Sequence, residues 1–247
     1  MVGALATPGA RAQVPRVRIL AIDTASETAC VGLVEDGVVR SEERVRVSAQ
    51  HGETLLPRVA HVLELAGVAR GQIDLIAVGL GPGSFTGVRI GLATAKGLAL
   101  GLDRPIVGVR SSRALAAGIE GALRVVAIDG KKSEVFASVW AFESAALTCV
   151  VEDVHGSPDA MAALVRGVVG DRAATLVGTG ASAYPSFVAA LGANLMRAAA
   201  ALDVVGARVL ACEAHVAFDQ RGPDDLARLE PVYVRAADAL LPAAART

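Results

Sequence analysis

Apolar residues along this chain recur with two different periods, and the switch between them predicts the elements. Arg16 to Ile22 reads as a short apolar strand ending at Asp23, DTASET (Asp23 to Thr28) as turn chemistry, and Ala29 to Glu35 as a second strand. Asp36-Gly37 is a strong hairpin signal, followed by a third strand over Val38 to Val47. Ser41, Glu42, Glu43, Arg44 and Arg46 put one face or edge of that strand in solvent. The period then changes to 3.6. Leu55, Leu56, Val59, Val62, Leu63 and Ala66 form one stripe of a helix that starts near Gln50 or Thr54, with Pro57 in or just past its first turn. Ile73 to Gly79 is a nearly continuous apolar run, as expected of a strand buried on both faces. A long helix from Ser84 to about Leu100 and a buried strand over Pro105 to Val109 complete this half.

The second half repeats the order. Arg124 to Ile128 is a strand ending at Asp129, Lys131-Lys132-Ser133 a turn, Glu134 to Phe142 a strand and Leu147 to Val151 a candidate third. A helix is expected over Ser157 to Arg166, capped by Ser157 with Pro158 at its first position. Thr175 to Gly178 reads as a strand, Tyr184 to Leu191 as a helix, and Asn194 to Val205 gives no clear signal. Ala207 to Asp219 is a last amphipathic helix. The triplets Ala21-Ile22-Asp23 and Ala127-Ile128-Asp129 close the first strand of each half, so the chain is expected to contain an internal duplication. The expected organisation is a flexible tail over 1–15, an N-terminal lobe over 16–110 and a C-terminal lobe over 111–206. A C-terminal helix and tail over 207–247 would pack back on the first lobe.

The stretch Leu80 to Gly91, LGPGSFTGVRIG, has the most unusual pattern. Gly81-Pro82-Gly83 cannot be regular structure, and Ser84 is a good N-cap. Gly83, Gly87, Gly91, Ala95 and Ala99 then recur every four residues, which lines them up on one helix face almost without side chains. Each interior glycine costs about 1 kcal/mol relative to alanine, and the usual return is close approach of another backbone. Packing on the chain's own sheet is the ordinary fate of such a face, favoured by about three to one from spacing alone. The alternative is contact with another subunit.

Composition narrows the class. The chain has 247 residues, 53% of them hydrophobic, and a formal net charge of -1. It can build a large core and has no overall basic bias towards nucleic acid. Cys30, Cys149 and Cys212 are odd in number and far apart, which fits neither a disulfide framework nor a CxxC site and suggests a reducing cytoplasm. No apolar run reaches the roughly 18 residues of a membrane span, and residues 1–15 lack a signal-type apolar segment.

Candidate chemistry is sparse. The duplicated strand-strand-strand-helix-strand-helix order resembles the ground plan of the actin, sugar kinase and heat-shock ATPase superfamily: an α/β fold of two ribonuclease H-like lobes. In that plan an Asp after the first strand of each lobe approaches metal and phosphate, the positions of Asp23 and Asp129. Asp23 could hold magnesium through water, with Thr24 and Ser26 donating to phosphate. The expected glycine after the first Asp is absent, however, and a local Asx turn is favoured about two to one. Lys131 and Lys132 read as a solvated hairpin tip more readily than as phosphate ligands. Gly178-Thr179-Gly180 after a strand could abut a nucleotide, and a tight turn explains it equally well. The four histidines, His51, His61, His155 and His215, form no HxxxH or HExxH pair. Ser84 is not in a GxSxG elbow.

Five segments together resemble the TsaB (YeaZ) family of bacterial tRNA threonylcarbamoyladenosine biosynthesis. They are ILAIDTASETACVGLVEDG, His51 ahead of Leu55-Leu56-Pro57, GPGSFTGVRIGLATAKGLALGLDRPIVGVRSS, VVAIDGKKSEVFASVW and EPVYVR. The third is the most specific, and Asp129-Gly130-Lys131 departs from the family's usual Asp-Ala-Arg. The resemblance implies a noncatalytic partner of the transferase TsaD, which has the same fold plus a histidine pair for metal. It implies docking through the first two helices and raises the intersubunit reading of the glycine stripe. The interface would comprise Leu55, Leu56, Val59, Leu63, Ser84, Phe85, Gly87, Val88, Gly91, Leu92 and Ala95. Asp23, Thr24, Asp129, Gly178 and Gly180 are kept as nucleotide-binding candidates. No cofactor is expected on this chain; ATP and metal would belong to the partner subunits. TsaE, an ATPase, would dock on the heterodimer, tRNA would be met through the complex, and the free chain would pair with itself. The rival expectations are an ATP-dependent kinase or ATPase of the same superfamily, and a glycopeptidase-like metallopeptidase.

Overall fold

A computed structural model describes residues 16–46 and 51–234. The expectations for residues 1–15 and for the tail from Arg235 lie outside the described residues.

The first half contains β1 (Arg18–Asp23), β2 (Thr28–Glu35), β3 (Val38–Arg46), α1 (His51–Ala66), β4 (Leu75–Gly79), α2 (Phe85–Leu102), β5 (Ile106–Val109) and α3 (Ser111–Ala117). The second contains β6 (Leu123–Lys131), β7 (Glu134–Glu143), β8 (Ala146–Gly156), α4 (Pro158–Val169), β9 (Ala174–Val177), α5 (Thr179–Ala183), α6 (Pro185–Leu191), β10 (Leu195–Arg197) and α7 (Ala207–Arg221). The strands form two five-stranded sheets, ordered β3-β2-β1-β4-β5 and β10-β9-β6-β7-β8. Read from the opposite edge, the second order is that of the first, so the duplication expected from the Asp-ending strands is present. In each sheet the first three strands are antiparallel and the last two join in parallel. Parallel pairing requires crossover helices, which α1, α2, α4 and α6 supply.

One face of each sheet is covered by its own crossover helices. Leu55, Val59 and Leu63 of α1 and Leu92, Ala95 and Ala99 of α2 pack with Leu20, Ile22, Ile76 and Val78 of the first sheet. Met161, Val165 and Phe187 do the same over the second. The other faces meet around α3 and α7, in a single core that includes Val107, Ala114, Val126, Trp140 and Leu210. Here the halves exchange: α7 lies against β1, β2, β4 and β5, while α3 lies against β6 and β7.

Several boundaries differ from the sequence expectation. The helix α3 was not expected, being a short run whose Ser111 and Ser112 are buried. β8 extends well past Val151 because its exposed outer edge carries no apolar period to mark its end. After the Gly178-Thr179-Gly180 segment, for which a tight turn was one reading, the chain makes one short helix over Thr179–Ala183, and the unclear stretch yields the three-residue β10.

Candidate functional site

The glycine stripe is used inside the chain. Ser84 caps α2, its Oγ accepting from the Gly87 amide at 3.1 Å. The Ser84 amide donates to the Ala25 carbonyl at 2.7 Å, so the helix begins against the β1–β2 turn. Thr24 in that turn is 3% exposed, and its hydroxyl donates to the Gly87 carbonyl at 2.7 Å. A Cβ on Gly87 would run into the Thr24 carbonyl, and one on Gly91 into Thr24 Oγ1. The two glycines therefore make room for a threonine of the same chain, as the spacing alone favoured. Assigning Gly87 and Gly91 to an intersubunit contact is corrected accordingly. The same holds for Leu55, Val59, Leu63, Val88, Leu92 and Ala95, all buried within the chain.

Two of the expected interface residues remain open, Leu56 at 54% and Phe85 at 40% exposure. Ser84 is half-buried at the helix start. The structure adds residues that the sequence reading missed: Leu65 of α1 and Leu100 of α2 are 61% and 76% exposed. Ala93, Gly97 and Gly101 lie on the exposed side of α2, with open space around both glycines. α1 and α2 cover the same face of the first sheet, and the sides they turn away from it each carry exposed apolar residues. A signal was available: Leu100 falls off the inward stripe of Val88, Leu92, Ala95 and Ala99, and a single sheet covers only one side of the helix.

The nucleotide-binding candidates are also largely committed. Asp23 ends β1 at 1% exposure. Its carboxylate accepts from Ser111 Oγ at 2.6 Å and from the Ala25 amide at 3.1 Å. Burial pushes its pKa up, against the pull of these two bonds. A carboxylate closed in by Ser111, Ala25 and Gly79 is in no position to hold a hydrated cation. Asp23 thus follows the Asx-turn reading, while the Thr24 hydroxyl is committed to the distant Gly87 carbonyl rather than to a nearby amide.

Asp129, at the equivalent place in the second half, faces a cleft of about 730 Å³. Its carboxylate accepts from Tyr184 Oη at 3.0 Å, from the Lys131 amide at 2.8 Å and from Lys131 Nζ at 2.8 Å. Burial pushes its pKa up, but these bonds outweigh it and hold the carboxyl below its ordinary value. Lys131 also reaches Glu27 of the first half at 2.6 Å, and the two carboxylates raise its pKa to about 12. Glu27 is held in turn by Arg46 at 3.0 Å. The charges at the cleft mouth are mutually neutralised, so Lys131 is not a free phosphate ligand. Gly178, at φ +112°, passes so close to the Ala127 carbonyl that no Cβ would fit, and a Cβ on Gly180 would press on the same peptide at 3.0 Å. Both are explained by packing on β6.

Among the described residues no group of three or more His, Cys, Asp or Glu is arranged to hold a metal ion. His61, His155 and His215 stand on α1, β8 and α7. No helix among the described residues is long and apolar enough to cross a membrane.

A family model described as TsaD, tRNA N6-adenosine threonylcarbamoyltransferase, matches residues 43–239. The chain is 44% identical over 124 residues to the tRNA threonylcarbamoyladenosine biosynthesis protein TsaB of Escherichia coli, covering 49% of this chain and 53% of that one. The chain belongs to this family, in its TsaB branch. A Bacillus subtilis TsaB is 34% identical over 55% of this chain and 60% of its own length. This TsaB-family chain thus spans about half the length of the curated relatives it matches. The likeness reaches further in three dimensions. YeaZ from Pseudomonas aeruginosa superposes with a TM-score of 0.74 at 27% identity, covering 88% of this chain and 99% of that one. A ROK hexokinase from Thermus thermophilus, at TM-score 0.50 and 13% identity over 83% of this chain and all of that one, shares the fold of the sugar kinase superfamily.

Proposed function

We propose that this TsaB-family chain is the noncatalytic partner of a TsaD-type transferase in the threonylcarbamoylation of the tRNA adenosine beside the anticodon. It docks through the outward sides of α1 and α2 and orients the transferase. With the transferase it completes the surface on which a TsaE-type ATPase and tRNA are received. ATP and metal belong to the partner subunits, and the setting is the cytoplasm. In the absence of the transferase, a second copy covers the same helices.

The observation that carries this reading is the apolar outer layer of Leu56, Leu65, Phe85 and Leu100. Four exposed large apolar side chains on two neighbouring helices support an interaction site there. The state of Asp23 supports the noncatalytic part. In a kinase or ATPase of this fold the first-strand carboxylate has to reach solvent and metal, whereas this one is bonded to Ser111 under the β4–α2 loop.

Calorimetric titration with the TsaD-type transferase of the same organism tests the proposal, with ATP titrated separately. One-to-one binding to the transferase and no ATP turnover by the isolated chain are expected. Absence of binding, together with ATP turnover abolished in Asp23→Ala, overturns it.

A further inference from the structure

The charges on the outer side of α2 specify the partner more closely than its apolar residues do. Between Phe85 and Leu102 the helix carries two cations, Arg89 and Lys96, and no Asp or Glu; the nearest acid, Asp103, lies past its end. Arg89, Ala93, Lys96 and Leu100 recur at spacings of four, three and four, the interval at which a helix faces another helix. Two residues seven apart are about 10 Å apart along the axis.

Arg89 is held ready. Its guanidinium lies 3.8 Å from the Phe85 ring centroid and 5.4 Å from that of Tyr233, and the two rings are 5.6 Å apart. Its Nε donates to Tyr233 Oη at 2.8 Å. Tyr233 is fixed in turn, because the Val232 amide beside it donates to the Leu80 carbonyl at 2.8 Å. Stacking and one bond from Nε leave both Nη groups, the fork that grips a carboxylate, without a partner among the described residues. Lys96 likewise has no carboxylate within ion-pair distance among the described residues. Of the acids on the adjoining β3 and α1, Glu43 is paired with Arg58 at 3.4 Å, and Glu64 lies 3.9 Å from His61.

We infer that this face receives an amphipathic helix of the docking protein that carries two carboxylates about two turns apart, one for Arg89 and one for Lys96, around small apolar residues. Ala93 and Gly97 allow the backbones to approach, and Leu100 enters the partner's apolar seam. The inference rests on the docking function proposed above and adds the chemistry of the surface that fits. An RNA backbone would offer anions to Arg89 and Lys96, but it would set a polar surface against Leu100, which is 76% exposed. Protein carboxylates match both parts of the face.

The test is the affinity of the purified chain for the TsaD-type transferase at about 50 mM and about 500 mM NaCl, where screening lengths differ several-fold. Wild-type binding should weaken with salt. R89E/K96E should weaken it by at least about tenfold at low salt and by much less at high salt, with the variant still folded in a cooperative thermal melt. R89Q/K96Q should fall between, and reversing the facing acids of the transferase to Lys should restore binding to R89E/K96E. Affinity within about twofold of wild type at both salts overturns the inference while leaving the docking proposal intact. So does a loss of tRNA retention by the assembled complex with unchanged transferase affinity, which would assign the cations to RNA. Failure of the wild-type chain to bind the transferase at either salt overturns the docking proposal, and the inference with it.

Discussion

The helices α1 and α2 cover one face of the first sheet just as α4 and α6 cover one face of the second, yet the two layers end differently at solvent. Leu56, Leu65, Phe85 and Leu100 are 54%, 61%, 40% and 76% exposed on the first. Among the described residues, no large apolar side chain is exposed on α4, α5 or α6; their open positions are residues such as Asp159, Ala163, Arg166, Ser186 and Ala189. Both layers bury an apolar inner stripe on a sheet of the same strand order, so the fold itself does not require the difference. Large apolar side chains stay exposed on the helix layer of the first sheet and not on that of the second, although β7, β8 and β10 of the second sheet expose Phe142, Val150 and Met196; the proposed docking face is the helix layer of the first copy. The Asp pair diverges in the same way. Asp23 is sealed and Asp129 faces the cleft.

The largest expected effects lie where the halves are alike, in their close backbone approaches. Gly91→Leu would drive a side chain into Thr24, and Gly178→Ala would combine a clash on Ala127 with a backbone at φ +112°. Overpacking at rigid positions costs up to about 3 kcal/mol, which in a chain of this size lowers the melting temperature by about 6–12 °C. Thermal denaturation of both variants checks this. A Gly91→Leu protein that melts like wild type but loses its partner would return the inner stripe to the intersubunit face.

Next comes the asymmetry between the layers. Leu56→Asp/Leu100→Asp should weaken transferase binding by more than about tenfold, with stability within about 0.5 kcal/mol per site because both leucines are exposed. Ala163→Asp, on the matching face of α4, should leave binding unchanged. Titration calorimetry on the two proteins compares them, and equal losses would mean that both layers dock.

The Asp pair gives a smaller effect with opposite signs. Burial raises the folded pKa of Asp23 above its ordinary 3.8, so its favourable contribution is complete below pH 3.8 and is lost as pH rises through the folded value. Asp23→Asn is free of that loss and should gain on wild type as pH rises above about 4. Asp129 lies below 3.8, so its contribution is present above that pH and is lost as pH falls through the lowered value. Asp129→Asn should lose relative to wild type as pH rises from about 3 to 5. Urea denaturation across this range reads both trends, and parallel trends would contradict the two environments.

The sequence predicts the duplicated strand order well, because apolar strands ending in Asp and helices of clear 3.6 period recur in the same succession. Ser84 as the cap of α2 was also legible from its residue type and position. Other features depend on contacts distant in sequence. Nothing around Asp23 announces that Ser111 will reach it, and α3, which brings Ser111 there, is too short for a period. The outer face was obscured for a different reason. Spacing identified Gly87 and Gly91 as a bare face but could not say that Thr24 fills it, so the interface was assigned to residues that the core already uses. Arg89 depends on Tyr233, which is joined to it only by the return of the C-terminal segment to Leu80.

The smallest effect concerns what joins the halves. Lys131 reaches Glu27 at 2.6 Å across the cleft, with the two side chains 59% and 53% exposed. A pair this open couples by about 0.2–1 kcal/mol and weakens with salt. A double-mutant cycle of Glu27→Gln and Lys131→Met, read by urea denaturation, should therefore return less than about 1 kcal/mol at low salt and close to nothing at high salt. The reason lies elsewhere in the molecule. The halves already share the buried core around α3 and α7, where each packs on the other's sheet, and that apolar junction does not respond to salt. A coupling near 3 kcal/mol that persisted in high salt would be at odds with a solvent-exposed pair. It would mean that the cleft closes over Lys131 and Glu27 in solution, and that the second half is held against the first by its charges as well as by its core.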